Sequence, residues 1–136
     1  MEVGKLQSES EVPNSYDPHL MWSEASMHTG KLIEAWLDDD TEAIVDSMSS
    51  IANLVLCTSK EAGIEMEGTL EEVRSYENID TETLLFSLVV DVSRLGTFMY
   101  SKELKEINEV HFLNCMRDIA GIQKSLDLSI EDSITE

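Results

Sequence analysis

The chain has 136 residues, a single-domain length, and 42% of them are hydrophobic, enough for a compact core and too many for a disordered acidic tail. Its 28 acidic residues against 9 basic ones give a formal charge of −19, which repels phosphodiester backbones and anionic bilayers and excludes direct nucleic-acid binding. The longest apolar run, LLFSLVV, is about a third of the roughly 20 residues a membrane-crossing helix needs, so no membrane role is expected.

Residues 1–17 are polar, punctuated by Pro13, and carry apolar residues without period, which predicts a flexible N-terminal arm. Pro18 suits the first turn of a helix, and Leu20, Met27, Leu32, Ile33, Trp36 and Leu37 carry that helix to the Asp38-Asp39-Asp40 loop. Three like charges sit badly at a helix C-terminus, so the helix stops there. Asp40 or Thr41 caps the next helix, whose apolar residues at 44, 45, 48, 51, 52, 55 and 62 keep a 3.6-residue period up to Gly63, a natural stop.

Residues 64–80 form an acid-rich loop with a short surface helix over 70–76. Asp80-Thr81-Glu82 starts the third long helix, with a stripe of Leu84, Leu85, Leu88, Val89, Val92, Leu95, Phe98 and Met99 running to about Tyr100. Ser101 caps the fourth after almost no loop, and its stripe runs through Leu104, Ile107, Val110, Leu113, Met116, Ile119, Ile122 and Leu126. So short a connection makes the last two helices antiparallel neighbours. The expected fold is an all-α four-helix bundle of two helical hairpins, 18–63 and 81–127, in a domain spanning 18–128, followed by an acidic tail, 129–136, that frays. Apolar positions match at an offset of 65, as in Val45 with Val110 and Met48 with Leu113, but few residues are identical, so duplication is only weakly indicated.

Cys57 and Cys115 stand among apolar residues at helical spacing, without the closely spaced partner of a zinc or redox motif, and are read as small core residues. The opening MEVGKLQSES has no sustained apolar stretch, so a reduced, cytoplasmic location is expected.

The stretch from Lys31 to Met66, KLIEAWLDDDTEAIVDSMSSIANLVLCTSKEAGIEM, resembles the second and third helices of the MazG-like, all-α NTP pyrophosphohydrolases. The best-matching part, DSMSSIANLVLCTSKEAGIE, is similar to the family's acidic-apolar helix running into a Gly-Ile-acid turn. The resemblance implies metal positions, a Glu-Glu-x-x-Glu run and then a Glu-x-x-Asp run, that fall here on Met27, His28 and Lys31, then on Ser47 and Ser50. None is a carboxylate. The magnesium that clamps a phosphate for attack by water needs hard oxygen ligands, so the implied protein is a pyrophosphohydrolase relative without its catalytic apparatus.

Function is accordingly expected to be non-catalytic: binding of a nucleotide-like ligand or of a protein partner through the altered face. Serines 47, 49 and 50 are read first as solvent-facing; as a pocket they would serve with Asn53 and His28, and Lys31 would contact phosphate. His28 is read as a surface histidine rather than a metal ligand, because Lys31 lies on the same face. Trp22 and Trp36, four turns apart, are read as helix-interface residues rather than base-stacking platforms. Two alternatives stand beside this. One is an acidic decoy, mimicking nucleic acid, that occupies a basic nucleic-acid-handling protein through the acids of 38–46 and 61–82. The other is an active enzyme with magnesium held at a rearranged site by Asp46, Glu34 or acids of the second helix pair. The resemblance also implies a homo-oligomer, since family members associate through helix faces.

Overall fold

The structure, a computed structural model, describes residues 3–10, 17–66, 79–100 and 109–130. It is all-α: α1 spans Val3–Glu9, α2 Pro18–Leu37, α3 Thr41–Glu61, α4 Thr81–Tyr100 and α5 Glu109–Ser125, with no strand among the described residues. The expected surface helix over 70–76, the Ser101 cap, Leu104 and Ile107 lie outside the described residues.

Helix starts follow the cap chemistry of the sequence. The Asp17 carboxylate accepts from the His19 amide at 3.0 Å, with Pro18 in the first turn of α2. Asp40 accepts from the Ala43 amide at 3.2 Å at the head of α3, and Asp80 from the Thr83 amide at 2.8 Å at the head of α4. Three helices end in the same backbone motif, in which a residue with positive φ reverses the chain so that two amides reach back to orphaned carbonyls. After α3 the reversing residue is Gly63 (φ +73), with its own amide on Lys60 O and the Ile64 amide on Ser59 O. After α2 it is Asp39 (φ 52), with the Asp40 amide on Ala35 O, and after α5 Asp127 (φ 54), with the Leu128 amide on Gln123 O. Asp40 thus closes α2 and opens α3, so the hairpin turns within three residues.

α2 packs on α3 and α4 on α5; α2 also touches α4, and α3 touches α5. Within the second pair, Thr81 meets Ser125 and Ser87 meets Asp118, so α4 and α5 run antiparallel. The core combines Leu32 and Ala35 of α2, Met48, Ile51, Ala52, Val55 and Leu56 of α3, Leu84, Leu85, Leu88, Val92 and Leu95 of α4, and Phe112, Cys115, Met116, Ile119 and Ile122 of α5. Both tryptophans are half-buried against it. Gly96 makes one crossing possible: a Cβ built there would fall inside the Trp22 indole, so only a glycine lets α4 come this close to α2.

Four expectations are corrected. The arm over 1–17 contains a helix, α1, docked on α3: Val3 and Leu6 are buried, and Gln7 is tied down from both its amide atoms. Gln7 Nε2 donates to Ser59 Oγ at 2.9 Å and to Ile64 O at 2.6 Å, while its Oε1 accepts from the Met66 amide at 2.9 Å. Lys60 Nζ adds donations to Ser8 O and Ser10 O. At the other end the core continues past 128, because Ile130 is fully buried. In α2 the buried face is Ala25, Thr29, Leu32 and Ala35, whereas Leu20, Met27 and Leu37 are exposed; small residues let α2 lie close to its neighbours. In α5 the seam runs through 112, 115, 116, 119 and 122, leaving Val110 55% exposed.

Candidate functional site

The three-residue turn between α2 and α3 opposes the C-terminal half of α2 to the N-terminal half of α3. Positions 28, 31 and 35 of α2 and 50, 47 and 43 of α3 therefore share one depression, of about 390 Å³. Its lining includes His28, Lys31, Glu34, Asp46, Ser47 and Ser50, together with the turn acids Asp38 and Asp40. Of the residues assigned to a pocket from sequence, Ser49 and Asn53 are not in this lining. Asn53 is exposed one turn further along α3, where its Oδ1 accepts weakly from Cys57 Sγ at 3.8 Å.

The serines are not the solvent-facing cluster expected. Ser47 and Ser49 are buried and Ser50 is half-buried. Ser49 Oγ donates to Val45 O at 2.7 Å and Ser50 Oγ to Asp46 O at 2.9 Å, so both hydroxyl protons are spent on the preceding turn of α3. Back-bonded in this way, Ser50 offers a ligand its lone pairs, with its proton already donated.

Burial holds the His28 imidazole below its ordinary pKa, the Lys31 ammonium lowers it further, and Glu24 partly offsets both. His28 is thus biased towards the neutral form, so that among the described residues Lys31 is the cation of the depression against four carboxylates, Glu34, Asp38, Asp40 and Asp46. That balance repels anions and attracts cationic groups.

The residues at the five positions singled out by the resemblance do not fit a magnesium clamp. Met27 is 48% exposed and has no oxygen, Lys31 presses its charge on His28, and Ser50 is back-bonded to its own helix. Nor, among the described residues, do three or more His, Cys, Asp or Glu side chains converge as metal ligands anywhere, Asp46 and Glu34 included. Among the described residues, no helix is long and apolar enough to cross a membrane.

Sequence reasoning passed over a second polar group, between α4 and α5: Ser87, Asp91 and the fully buried Asp118. A signal was present, since Asp118 stands three residues after Cys115 and four before Ile122, in line with the core seam. No family model, curated protein or solved structure matches the chain.

Proposed function

We propose that this protein is a non-catalytic, MazG-like four-helix bundle of two helical hairpins, and that its α2–α3 depression binds a protein partner through that partner's basic side chains. The pairing of α2 with α3 and of α4 with α5 supports the two-hairpin arrangement. The observation that carries the binding role is the charge of the depression, four carboxylates around one lysine. A nucleotide's phosphates would face those acids with, among the described residues, only Lys31 in their favour, whereas an arginine or lysine side chain meets complementary charge over the turn acids Asp38 and Asp40. Each exposed ion pair contributes about 0.2–1 kcal/mol, so affinity depends on several at once and falls steeply with salt. Homo-oligomerisation belongs to the same proposal and is supported by Phe86 and Val90, one turn apart on α4 and 65% and 47% exposed.

A thermal-shift comparison of an arginine-containing peptide with ATP and dUTP, each with and without magnesium, tests the binding role. The peptide is expected to raise the melting temperature at low salt and not at high salt, and the double variant Asp40→Asn, Asp46→Asn to lose the effect; asparagine keeps the α3 cap, so the fold survives. Stabilisation by nucleotide alone would contradict it. The enzyme alternative is tested by pyrophosphate release from NTPs and dNTPs with magnesium or manganese, where turnover abolished by Asp46→Ala would overturn the non-catalytic assignment.

A further inference from the structure

The second polar group lies away from the depression, within the α4–α5 interface. Asp118 is sealed from solvent near the middle of α5. Its Oδ1 accepts from Ser87 Oγ at 2.9 Å, and the same hydroxyl lies 3.4 Å from Oδ2 of Asp91, one turn further along α4. A hydroxyl carries one proton, so Ser87 satisfies one carboxylate well and the other poorly. Asp118 Oδ2 is buried and receives no hydrogen bond from any N–H or hydroxyl donor among the described residues. Two ionised carboxylates around one hydroxyl, one of them fully buried and with no cation paired to it among the described residues, would repel each other and leave that oxygen desolvated at a cost the interface could not offset. A proton on the Asp118 carboxyl, held in its hydrogen bond with Asp91, removes the repulsion.

We propose that Asp118 and Asp91 share a single proton at neutral pH and form an alkaline-sensitive latch: when the proton leaves, the two anions loosen α5 from α4. The crevice beside the pair, about 430 Å³ and lined by Asp91, Arg94, Thr97, Val110, His111 and Asn114, gives water a route to Asp91 and hence to the shared proton. Burial is the main influence on Asp118, the hydrogen bond with Asp91 and its charge act in the same sense, and Ser87 opposes them; together they raise its carboxyl to about 8. Among the facing groups, Asp91 and Arg94 come from α4, and Cys115 and His111 from α5 itself. α3 packs on α5 and α2 on α4, yet neither supplies a charge acting on Asp118. The Cys115 thiol, pushed well above its ordinary value by burial and by both acids, titrates later than the pair.

A folded-state value above the unfolded one means that the native protein holds the extra proton. The contribution to stability is complete below about pH 4 and is lost as pH rises towards about 8. His28, lowered in the fold, acts in the opposite sense, below its unfolded value of 6.5. The interval from pH 6.5 to 8.5 therefore isolates the latch from His28 and from Cys115.

Carboxyl carbon NMR on the full chain, together with melting temperatures across that interval, tests the proposal. One aspartate step near pH 8 is expected in the wild type and absent in Asp118→Asn, whose amide can still accept from Ser87 and donate to Asp91. The wild-type melting temperature should fall by roughly 5 °C or more over the interval, and that of Asp118→Asn by less than a third as much. Should Asp118→Asn fail to fold, Asp91→Asn serves instead: burial still raises the Asp118 carboxyl, so the step should persist but move to lower pH, and the fall in melting temperature over the interval should shrink. Titration of Asp118 below pH 5, or equal pH slopes in wild type and Asp118→Asn, or an unmoved step in Asp91→Asn, would overturn the latch.

Discussion

Gly96→Ala should destabilise this protein, although the same change in most exposed helix positions does the reverse. Alanine is favoured over glycine inside a helix by about 0.5–1 kcal/mol. At Gly96 the added methyl falls within the Trp22 indole, which α2 holds against Val92 and Leu95 of α4 and Leu54, Val55 and Thr58 of α3. The void beside the indole measures about 20 Å³, room for about one water and far too little for an indole, so the ring has nowhere to step aside. Overpacking of this kind costs about 1–3 kcal/mol, and expulsion of the indole would approach the roughly 3–5 kcal/mol of a tryptophan truncation. Set against the propensity gain, the net expectation is a loss of about 2 kcal/mol. Urea unfolding followed by far-UV circular dichroism measures it, and the change should come in the midpoint rather than the slope. The decisive comparison is a double-mutant cycle with Trp22→Ala, in which Gly96→Ala should become neutral or stabilising, giving a coupling above about 1 kcal/mol. A stabilised single variant, or the same loss with and without Trp22, would refute the contact.

At the α2–α3 turn, Asp39→Gly should stabilise by about 0.5 kcal/mol and Asp39→Ala should destabilise, because φ is positive there and the aspartate adds negative charge to a helix C-terminus; the order glycine, aspartate, alanine in thermal melts checks this. Gln7→Ala leaves the Ile64 carbonyl and Met66 amide without their side-chain partner and should cost roughly 2 kcal/mol. Hydrogen exchange should then speed up in α1 and around Met66 while α4 and α5 keep their protection; uniform loss across the chain would contradict a locally docked helix. Burial pushes both the Cys57 and Cys115 thiols above their ordinary values, so a thiol reagent at pH 8 should label neither quickly in the native protein and both on unfolding. Rapid labelling of Cys115 in the native state would contradict the packed α4–α5 seam.

Local chemistry was legible in the sequence wherever one residue type has one good explanation. Pro18, Asp40, Gly63 and Asp80 each signal a helix boundary, and the structure has one beside each. The stripe of α4 was readable because its buried residues are large and regular from Leu84 to Leu95. The face of α2 was not, since Ala25, Thr29 and Ala35 are buried for their small size, and size-driven packing leaves no hydrophobic period to find. α1 escaped because seven residues are too few for a period and much of its attachment is the polar grip of Gln7. The grouping of His28, Lys31, Ser47 and Ser50 in one depression follows from antiparallel helices joined by a tight turn, which sequence spacing does convey. The charge of that depression does not, because Asp38 and Asp40 join it only through the path of the turn.

Whether the α2–α3 depression receives cationic groups of a partner is read from amide and side-chain NMR during titration with an arginine-containing peptide at low and at high salt. Shifts should appear at His28, Lys31, Asp46, Ser47 and Ser50, vanish at high salt, and be absent in the Asp40→Asn, Asp46→Asn variant. Perturbations scattered over other faces, or the same residues shifting for a nucleoside triphosphate and not for the peptide, would contradict it.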